Sequence, residues 1–249
     1  MLHPGLKNTD LHAIVDSNPS VATMVLAAKH HNVDDALLNK AMEYPSARVQ
    51  AAAVSNPRAS SRHLHKALDS DNFSTQLAAA KNPNIRPEHV DKIIKNGDSE
   101  LLEHIAKHPS MQRHHIDQII DSKNQSNIYS IMNSRHINAE HLDKILKIGS
   151  QALKKQVARH RRATPEHLDK LLDDANDLGV MEAAAGNRNA SEATLMKALS
   201  KHGLPTVQQA AVTNENASDS FLHHVLDHPS IASDVRVAAA DNRSAGSSV

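Results

Sequence analysis

Apolar residues recur along this chain in short groups in which positions i, i+3 and i+4 are apolar and the positions between them are polar. Val90, Ile93 and Ile94 form one such group within residues 87–94. This spacing places three side chains on one face of a helix. The pattern therefore predicts a short amphipathic helix, which we call helix B.

A second apolar pattern precedes helix B and consists of small side chains. Ala79 and Ala80 stand directly before Lys81-Asn82-Pro83, and small or medium apolar residues occupy the same two positions elsewhere in the chain. Small side chains allow helices to approach closely, and Pro83 prevents a helix from continuing. The sequence therefore predicts a helix A that ends near Asn82 and is followed by helix B.

The position held by Asn82 recurs at intervals of 26 to 28 residues, and we call it the landmark and count other positions from it. The landmarks are His3, His30, Asn56, Asn82, His108, Ser134, His160, Asn187, Asn214 and Asn242. A fixed period of this length is the signature of a repeat protein. We predict an all-α solenoid of about nine two-helix repeats, forming a single continuous domain over residues 1–243 with a flexible C-terminal tail at 244–249.

Polar residues at position +4 predict where helix B begins. Asp34, Asn138 and Ser191 can each accept a hydrogen bond from the free N–H groups of a first turn, whereas Arg86 and Gln112 break this pattern. At the other end of the hairpin, Asn or His at the landmark is expected to adopt the left-handed conformation that ends many helices.

The repeat phrases in residues 82–94 and 163–172 resemble the leucine-rich repeat variant family and its HEAT-like relatives. This resemblance covers nearly the whole chain and implies a right-handed superhelix. Similar phrases occur in repeat regions of tailed-bacteriophage proteins, which implies a virion role. The iron–sulfur module of the founding family member requires cysteines, and this sequence has none.

Composition narrows the range of functions. Lys plus Arg and Asp plus Glu both number 28, so the chain as a whole has no net field that would draw it to nucleic acid or membrane. Cysteine and Trp are absent and aromatics are few, which removes thiolate chemistry and a general base-stacking surface. No signal peptide or membrane span is evident, so a virion or cytoplasmic location is expected.

Histidine is abundant, with 19 residues, and its most regular use is at position +7. Five consecutive repeats carry it there, and we call this set the histidine series: His63, His89, His115, His141 and His167. We expect half-buried rings that bond near the helix start, with a pH response as the alternative. Metal binding is not expected. Histidines of successive repeats lie a helix layer apart, which is too far to share one ion, and the pairs His104–His108 and His224–His228 lack a third ligand.

Lysines at position +10 and aspartates at +9 form two further regular columns. Lys92, Lys144 and Lys170 exemplify the first column, and Asp91 and Asp143 the second. If both face solvent, a Lys of one repeat can meet an Asp of the next. A solvated surface with weak ion pairs is the expectation, and a strip that reads a partner is the alternative.

A basic cluster is the most specific surface signal. Its members are Arg135, Lys154, Lys155, Arg159, Arg161, Arg162 and Arg188. We predict that Arg135, Arg161 and Arg188, all at position +1, line one ridge that holds phosphates or an acidic partner. The alternative is a solvated patch neutralised by Asp173, Asp174 and Asp177.

No catalytic motif is found: the chain lacks a Gly-rich phosphate loop and a nucleophile elbow. We therefore expect a non-enzymatic scaffold or structural protein without cofactor or small-molecule substrate, which binds other proteins, virion proteins or its own copies end to end. The alternative is a nucleic-acid-binding HEAT-like protein that uses the basic ridge around Arg161. A HEAT-like DNA-repair enzyme is a third, weaker hypothesis.

Overall fold

The computed structural model describes residues 2–174, 176–201 and 203–242, so the expected tail at 244–249 lies outside the described residues. These residues form eighteen α-helices and no strand. The helices are α1 Asn8–Asp16, α2 Val21–Ala28, α3 Asp35–Glu43, α4 Ala47–Val54, α5 Ser61–Leu68, α6 Phe73–Ala80, α7 Pro87–Asn96, α8 Ser99–Ile105, α9 Arg113–Asp121, α10 Gln125–Ile131, α11 Ala139–Ile148, α12 Gln151–Arg159, α13 Pro165–Asp174, α14 Leu178–Ala185, α15 Glu192–Leu199, α16 Pro205–Val212, α17 Asp219–Asp227 and α18 Ser233–Ala240. The prediction of an all-α protein is confirmed. Across the described part of the chain, no helix has the length and apolar character needed to cross a membrane.

The odd-numbered helices are the predicted B helices and the even-numbered ones are the A helices. The +8 side chain is fully or almost fully buried in every B helix, from Leu11 in α1 to Leu222 in α17. Position −3 of the A helices is equally buried, for example Ala79 and Ile105. These columns form the core, because each short helix can bury its apolar stripe only against its neighbours.

The core includes one column of residues that was not predicted from the sequence. Position +3, in the turn between helix A and helix B, is buried in eight repeats, as Val33, Ala59, Ile85, Met111, Ile137, Ala163, Ala190 and Ala217. The backbone N–H of this residue donates to the landmark carbonyl, at 3.1 Å for Ile85 and Asn82. The turn is therefore part of the packed interior and not a surface connection.

The B helices begin as predicted. Asp34, Asn138 and Ser191 each accept the N–H of the third helical residue, with N···O distances of 2.8, 2.9 and 3.1 Å. Two of these helices, α7 and α11, end on Gly97 and Gly149, whose φ angles of 72° and 81° require the conformational freedom of glycine.

The landmark conformation was predicted wrongly. Among the described non-glycine residues only Asn18 and Lys123 have positive φ, and neither is a landmark. His160, for instance, has φ −74°. The side-chain hydrogen bonds of Asn and His explain their presence at the landmark, and the position does not require a left-handed backbone.

The chain divides into two compact units. The first comprises Met1–Ile119 with Asn133–His136, and the second Ile120–Met132 with Ile137–Val249. Within each unit a helix packs against the next helix and the next but one, so that α2, α4 and α6 pack in order in the first unit and α12, α14, α16 and α18 in the second. Whether residues 1–243 act as one continuous domain stays a prediction.

Candidate interaction surface

The landmark asparagines join each repeat to the one before it. In this asparagine series, Nδ2 donates to two backbone carbonyls of the preceding repeat, and for Asn187 these are Ala158 O at 2.6 Å and His160 O at 3.2 Å. Oδ1 accepts the N–H two residues later, from Asn189 at 2.8 Å. The series consists of Asn56, Asn82, Asn187, Asn214 and Asn242, each with the same pair of carbonyl acceptors.

Histidine replaces asparagine at several landmarks, and the rings of His160 and His30 each make one of the two contacts that asparagine makes with the preceding repeat. His160 Nδ1 accepts the N–H of Arg162 at 3.1 Å, and its Nε2 lies 2.9 Å from Met132 O. His30 makes the corresponding contacts with Asn32 and His3. Both residue types present an acceptor and a donor at similar separation, which explains why they alternate at one position.

The histidine series closes the start of each B helix that carries it. Nδ1 accepts the N–H of the residue before the helix in all five cases, at 2.9 Å for His89 and Arg86, 2.9 Å for His115 and Gln112, and 2.9 Å for His167 and Thr164. The ring thus takes the part that Glu or Gln plays in a capping box. This gives α7 and α9 a hydrogen bond at their first turn although Arg86 and Gln112 are not usual N-cap residues.

The opposite edge of the same rings reaches the preceding repeat. His63 Nε2 lies 3.1 Å from Asn39 Oδ1, His89 Nε2 lies 3.2 Å from Ser61 O, and His167 Nε2 lies 3.3 Å from Asp143 Oδ1. Because Nδ1 accepts, the neutral ring carries its proton on Nε2 and donates it across the repeats. The expected structural role near the helix start is confirmed, with rings more deeply buried than predicted.

Burial makes three imidazoles of the histidine series resist protonation. It lowers the pKa of His63, His89 and His115, while the carboxylates of Asp35 and Asp91 act against the shift at His63 and His115. Burial also lowers the pKa of the landmark histidines His108 and His160. The buried rings are therefore held in the neutral form that their hydrogen bonds require.

Lysines at position +10 pair with acids of the preceding repeat, but mostly not with the predicted ones. Lys92 Nζ lies 2.5 Å from Asp69 and Lys197 Nζ 2.5 Å from Asp173, and both acids are at position +13. Lys170 does meet the expected +9 acid, Asp143, at 3.4 Å. The +9 carboxylates Asp91 and Asp143 also lie beside His115 and His167, and Asp143 is shared between His167 and Lys170.

One group of side chains has the composition of a metal site. Donor atoms of Asp91, His114 and His115 lie within 4.8 Å of one another. His115 can offer only Nε2, because its Nδ1 accepts the N–H of Gln112. Metal binding at Nε2 would move the ring proton to Nδ1 and set two donors against each other. The cap and the metal therefore compete for the same ring.

The members of the basic cluster belong to both compact units. Arg135 belongs to the first unit and its guanidinium donates to Pro109 O at 3.2 Å. The other six belong to the second unit. Lys154 and Lys155 are half-buried on α12, and Lys155 Nζ lies beside Gly179. The Arg162 guanidinium donates to Ile137 O. Arg135 and Arg162 thus hold the turn of the preceding repeat with part of their donors.

Three arginines of the second unit share one cleft of about 430 Å³, which we call the arginine cleft. It is lined by Arg159, Arg161, Ala183, Gly186, Asn187 and Arg188. The three arginines are exposed, and among the described residues that line the cleft none is acidic. Arg161 and Arg188, both at +1, thus line one cleft, and Arg159 is a third contributor.

Two of the three acids expected to neutralise this patch have other partners. Asp173 pairs with Lys197 and Lys201, and Asp177 caps α14 by accepting the N–H of Val180 at 3.1 Å. The one carboxylate near a cleft arginine in the described ion pairs is Glu215, 3.9 Å from Arg188. Their side chains are 69% and 74% exposed, so solvent weakens this contact.

Two other clefts differ in their charge. One of about 360 Å³ in the first unit is lined by Lys29 and Arg48 together with small side chains in and beside α2, α4 and α6. One of about 370 Å³ in the second unit combines Lys123, Lys144 and Lys147 with Asp121. Of these three, the arginine cleft has the most arginines and includes no acid among its described lining residues.

Comparisons with protein-family models, with characterised proteins and with solved structures find no match for this chain. The resemblance to leucine-rich repeat variant and HEAT-like proteins, and to bacteriophage repeat regions, therefore stays a prediction.

Proposed function

We propose that this chain is a non-enzymatic scaffold that presents an extended helical surface to partner proteins. The asparagine series carries this proposal. Each of its side chains connects two consecutive repeats through hydrogen bonds, which are buried for all members except Asn242, as Asn214 does with Ala185 O at 2.7 Å and Asn187 O at 3.0 Å. Polar groups used in this way hold neighbouring A helices in fixed register and leave their outer faces for contacts.

The finer architecture that we infer is a right-handed α-solenoid of about nine two-helix repeats. The sequence period and the family resemblance support it. Small-angle X-ray scattering tests it, because a compact domain of this length has a radius of gyration of about 18 Å and a solenoid a distinctly larger one. A measured value near that of a compact domain would contradict the solenoid.

A bacteriophage virion is the setting we propose for this scaffold, on the strength of the resemblance alone. Recovery of the protein from purified virus particles, in fixed stoichiometry with a structural protein, tests both setting and class. The expected result is comigration that persists in high salt, followed by chemical crosslinks that map to A helices such as α12, α14 and α16. Recovery as a free monomer without crosslinked partner would contradict the scaffold.

Nucleic-acid binding is the second candidate, and the arginine cleft is the observation that favours it. Electrostatic binding to phosphates should weaken steeply with salt. A gel shift at low salt, compared between the native chain and Arg161→Glu with Arg162→Glu, tests this function. No shift at low salt, or a shift that the double substitution does not change, would remove it. Turnover on alkylated DNA would instead indicate a repair enzyme and overturn the non-enzymatic proposal.

A further inference from the structure

The arginine cleft is held in place by the same landmark contact that joins the repeats. Asn187 lies at its base, is 6% exposed, and bonds the carbonyls of Ala158 and His160. These two carbonyls flank Arg159, and Arg161 follows directly. Arg188 is the residue after Asn187. One buried amide therefore fixes the backbone that carries all three arginines before any ligand arrives.

The arginine side chains of the cleft are mostly not paired with other groups of the described residues. Within the described residues, neither Arg159 nor Arg161 makes a side-chain hydrogen bond or an ion pair, and Arg188 has only the 3.9 Å contact with Glu215. A structural role for arginine normally includes an acceptor, as Arg135 and Arg162 show with carbonyls of the preceding repeat. The three cleft arginines keep their forked donors available.

Gly186 opens the floor of the cleft. Its φ of −82° is accessible to every residue type, so the backbone does not require glycine there. A Cβ at this position would meet only its own helix, at Glu182 O, 3.2 Å away. The equivalent −1 position holds a side chain in the other repeats, for example Lys81, Arg159 and Thr213. The missing side chain leaves the space between Arg159 and Arg188 empty.

We propose that the arginine cleft binds an acidic segment of a partner protein, with Asp or Glu carboxylates seated between Arg159, Arg161 and Arg188. This inference rests on the proposed scaffold function and names the chemistry of its partner. Guanidinium groups pair with carboxylates through two parallel N–H···O bonds, which lysine cannot reproduce. The cleft thereby selects both charge and planar shape.

The surroundings of the cleft favour a discrete carboxylate over a nucleic-acid strand. A strand presents a continuous row of phosphates, and its affinity comes from many cations along a track. Here Glu215 lies beside Arg188, and the next landmark turn is therefore acidic where the previous two are basic. Glu215 thus ends the row of basic residues beside the cleft, which favours a short acidic segment over a long row of phosphates.

Calorimetric titration of the full chain with an acetylated, amidated hexaglutamate peptide tests the proposal, with a hexaglutamine peptide as the neutral reference. We expect saturable binding of hexaglutamate and none of hexaglutamine. Arg161→Gln and Arg188→Gln should each weaken binding by roughly tenfold, because each removes charge-assisted hydrogen bonds. Lys81→Gln is the matched control: it removes one exposed charge at a −1 position outside the cleft and should leave affinity unchanged.

A second variant separates shape from charge. Gly186→Leu keeps every charge and fills the floor, so it should also weaken hexaglutamate binding by roughly tenfold, while circular dichroism confirms native helicity. If Gly186→Leu binds hexaglutamate normally, or if Lys81→Gln loses as much affinity as Arg161→Gln, the cleft is not the site. If a DNA single strand of about 20 nucleotides binds more tightly than hexaglutamate and loses affinity with the same arginine variants, the ligand is nucleic acid and the proposal is overturned.

The arginines could instead serve only the ends of α12 and α14, since cations stabilise a helix C-terminus. That role predicts a lower melting temperature for Arg159→Gln with no change in peptide binding, and this result would overturn the inference. The scaffold function is tested apart from it. If the native particle or complex keeps the protein when Arg161→Gln and Arg188→Gln are combined, the scaffold stands and the cleft inference fails.

Discussion

The side-chain Nδ2 of Asn82 donates to the backbone oxygen of Asn56, 3.1 Å away, and Asn56 holds the same position one repeat earlier. Asn82 also donates to Val54 O and accepts the N–H of Asn84. All three contacts lie in a turn that is otherwise closed by short backbone bonds. One buried side chain thus supplies a partner to Val54 O and a second donor to Asn56 O, which also accepts the N–H of Ala59.

Removing this side chain should be costly. Asn82→Ala removes the donor to the Val54 carbonyl and one of two donors to the Asn56 carbonyl, for an expected loss of about 1 to 3 kcal/mol in the free energy of unfolding. Urea denaturation followed by circular dichroism measures it. Asn82→His is the matched control, because His160 contacts the −2 carbonyl of the preceding repeat and accepts the N–H two residues later at its own landmark, and it should lose less. Equal losses in both variants would contradict the role assigned to Asn82.

Mild acidification should destabilise the protein. The folded-state pKa of His63, His89 and His115 is lowered by burial, so the unfolded chain binds more protons once the pH falls below about 6.5. The stability due to the neutral rings is complete above that pH and is lost as the pH falls towards the lowered pKa values. Urea midpoints measured from about pH 7.5 to about pH 5 should therefore fall with pH.

A matched variant isolates the three rings. Replacing His63, His89 and His115 by Gln keeps a side chain that can cap the helix start but cannot titrate. The pH dependence of this triple variant should be shallower than that of the native protein, with His108 and His160 responsible for part of the remainder. An unchanged slope would show that the histidine series does not set the acid sensitivity.

The apolar columns predict a difference between two neighbouring isoleucines of α7. Ile93 is fully buried at position +11, whereas Ile94 at +12 is only half-buried. Ile93→Ala should cost about 2 to 5 kcal/mol, because it removes buried surface and leaves a cavity. Ile94→Ala should cost distinctly less. Thermal unfolding of both variants checks the assignment, and a reversed order would contradict the packing of this helix.

Zinc should not stabilise the group formed by Asp91, His114 and His115. Binding would have to displace the N–H of Gln112 from His115 Nδ1, a 2.9 Å hydrogen bond that starts α9. We expect the same melting temperature with and without an equivalent of zinc. A rise that is abolished by His114→Ala would show that the metal overcomes the cap.

Part of this architecture follows from the sequence alone. The period of 26 to 28 residues predicts paired short helices, and the i, i+3, i+4 groups such as Val90, Ile93 and Ile94 identify the face that each B helix buries. Capping residues such as Asp34 and Ser191 predict the helix starts correctly. These features are local, because helix propensity, capping and amphipathic spacing depend on residues within a few positions of one another.

Only the tertiary structure decided what the polar columns do. The landmark Asn was expected to adopt a left-handed conformation, yet Asn187 donates hydrogen bonds to carbonyls of the preceding repeat. The +10 lysines were expected to pair with acids at +9, yet Lys92 and Lys197 pair with acids at +13. These pairings depend on the register between successive helices. The repeat period does not determine that register, because shifting one helix by a turn leaves the sequence spacing of every column unchanged. The same register brings Arg159, Arg161 and Arg188 to one cleft, whereas the Arg162 guanidinium donates a hydrogen bond to Ile137 O.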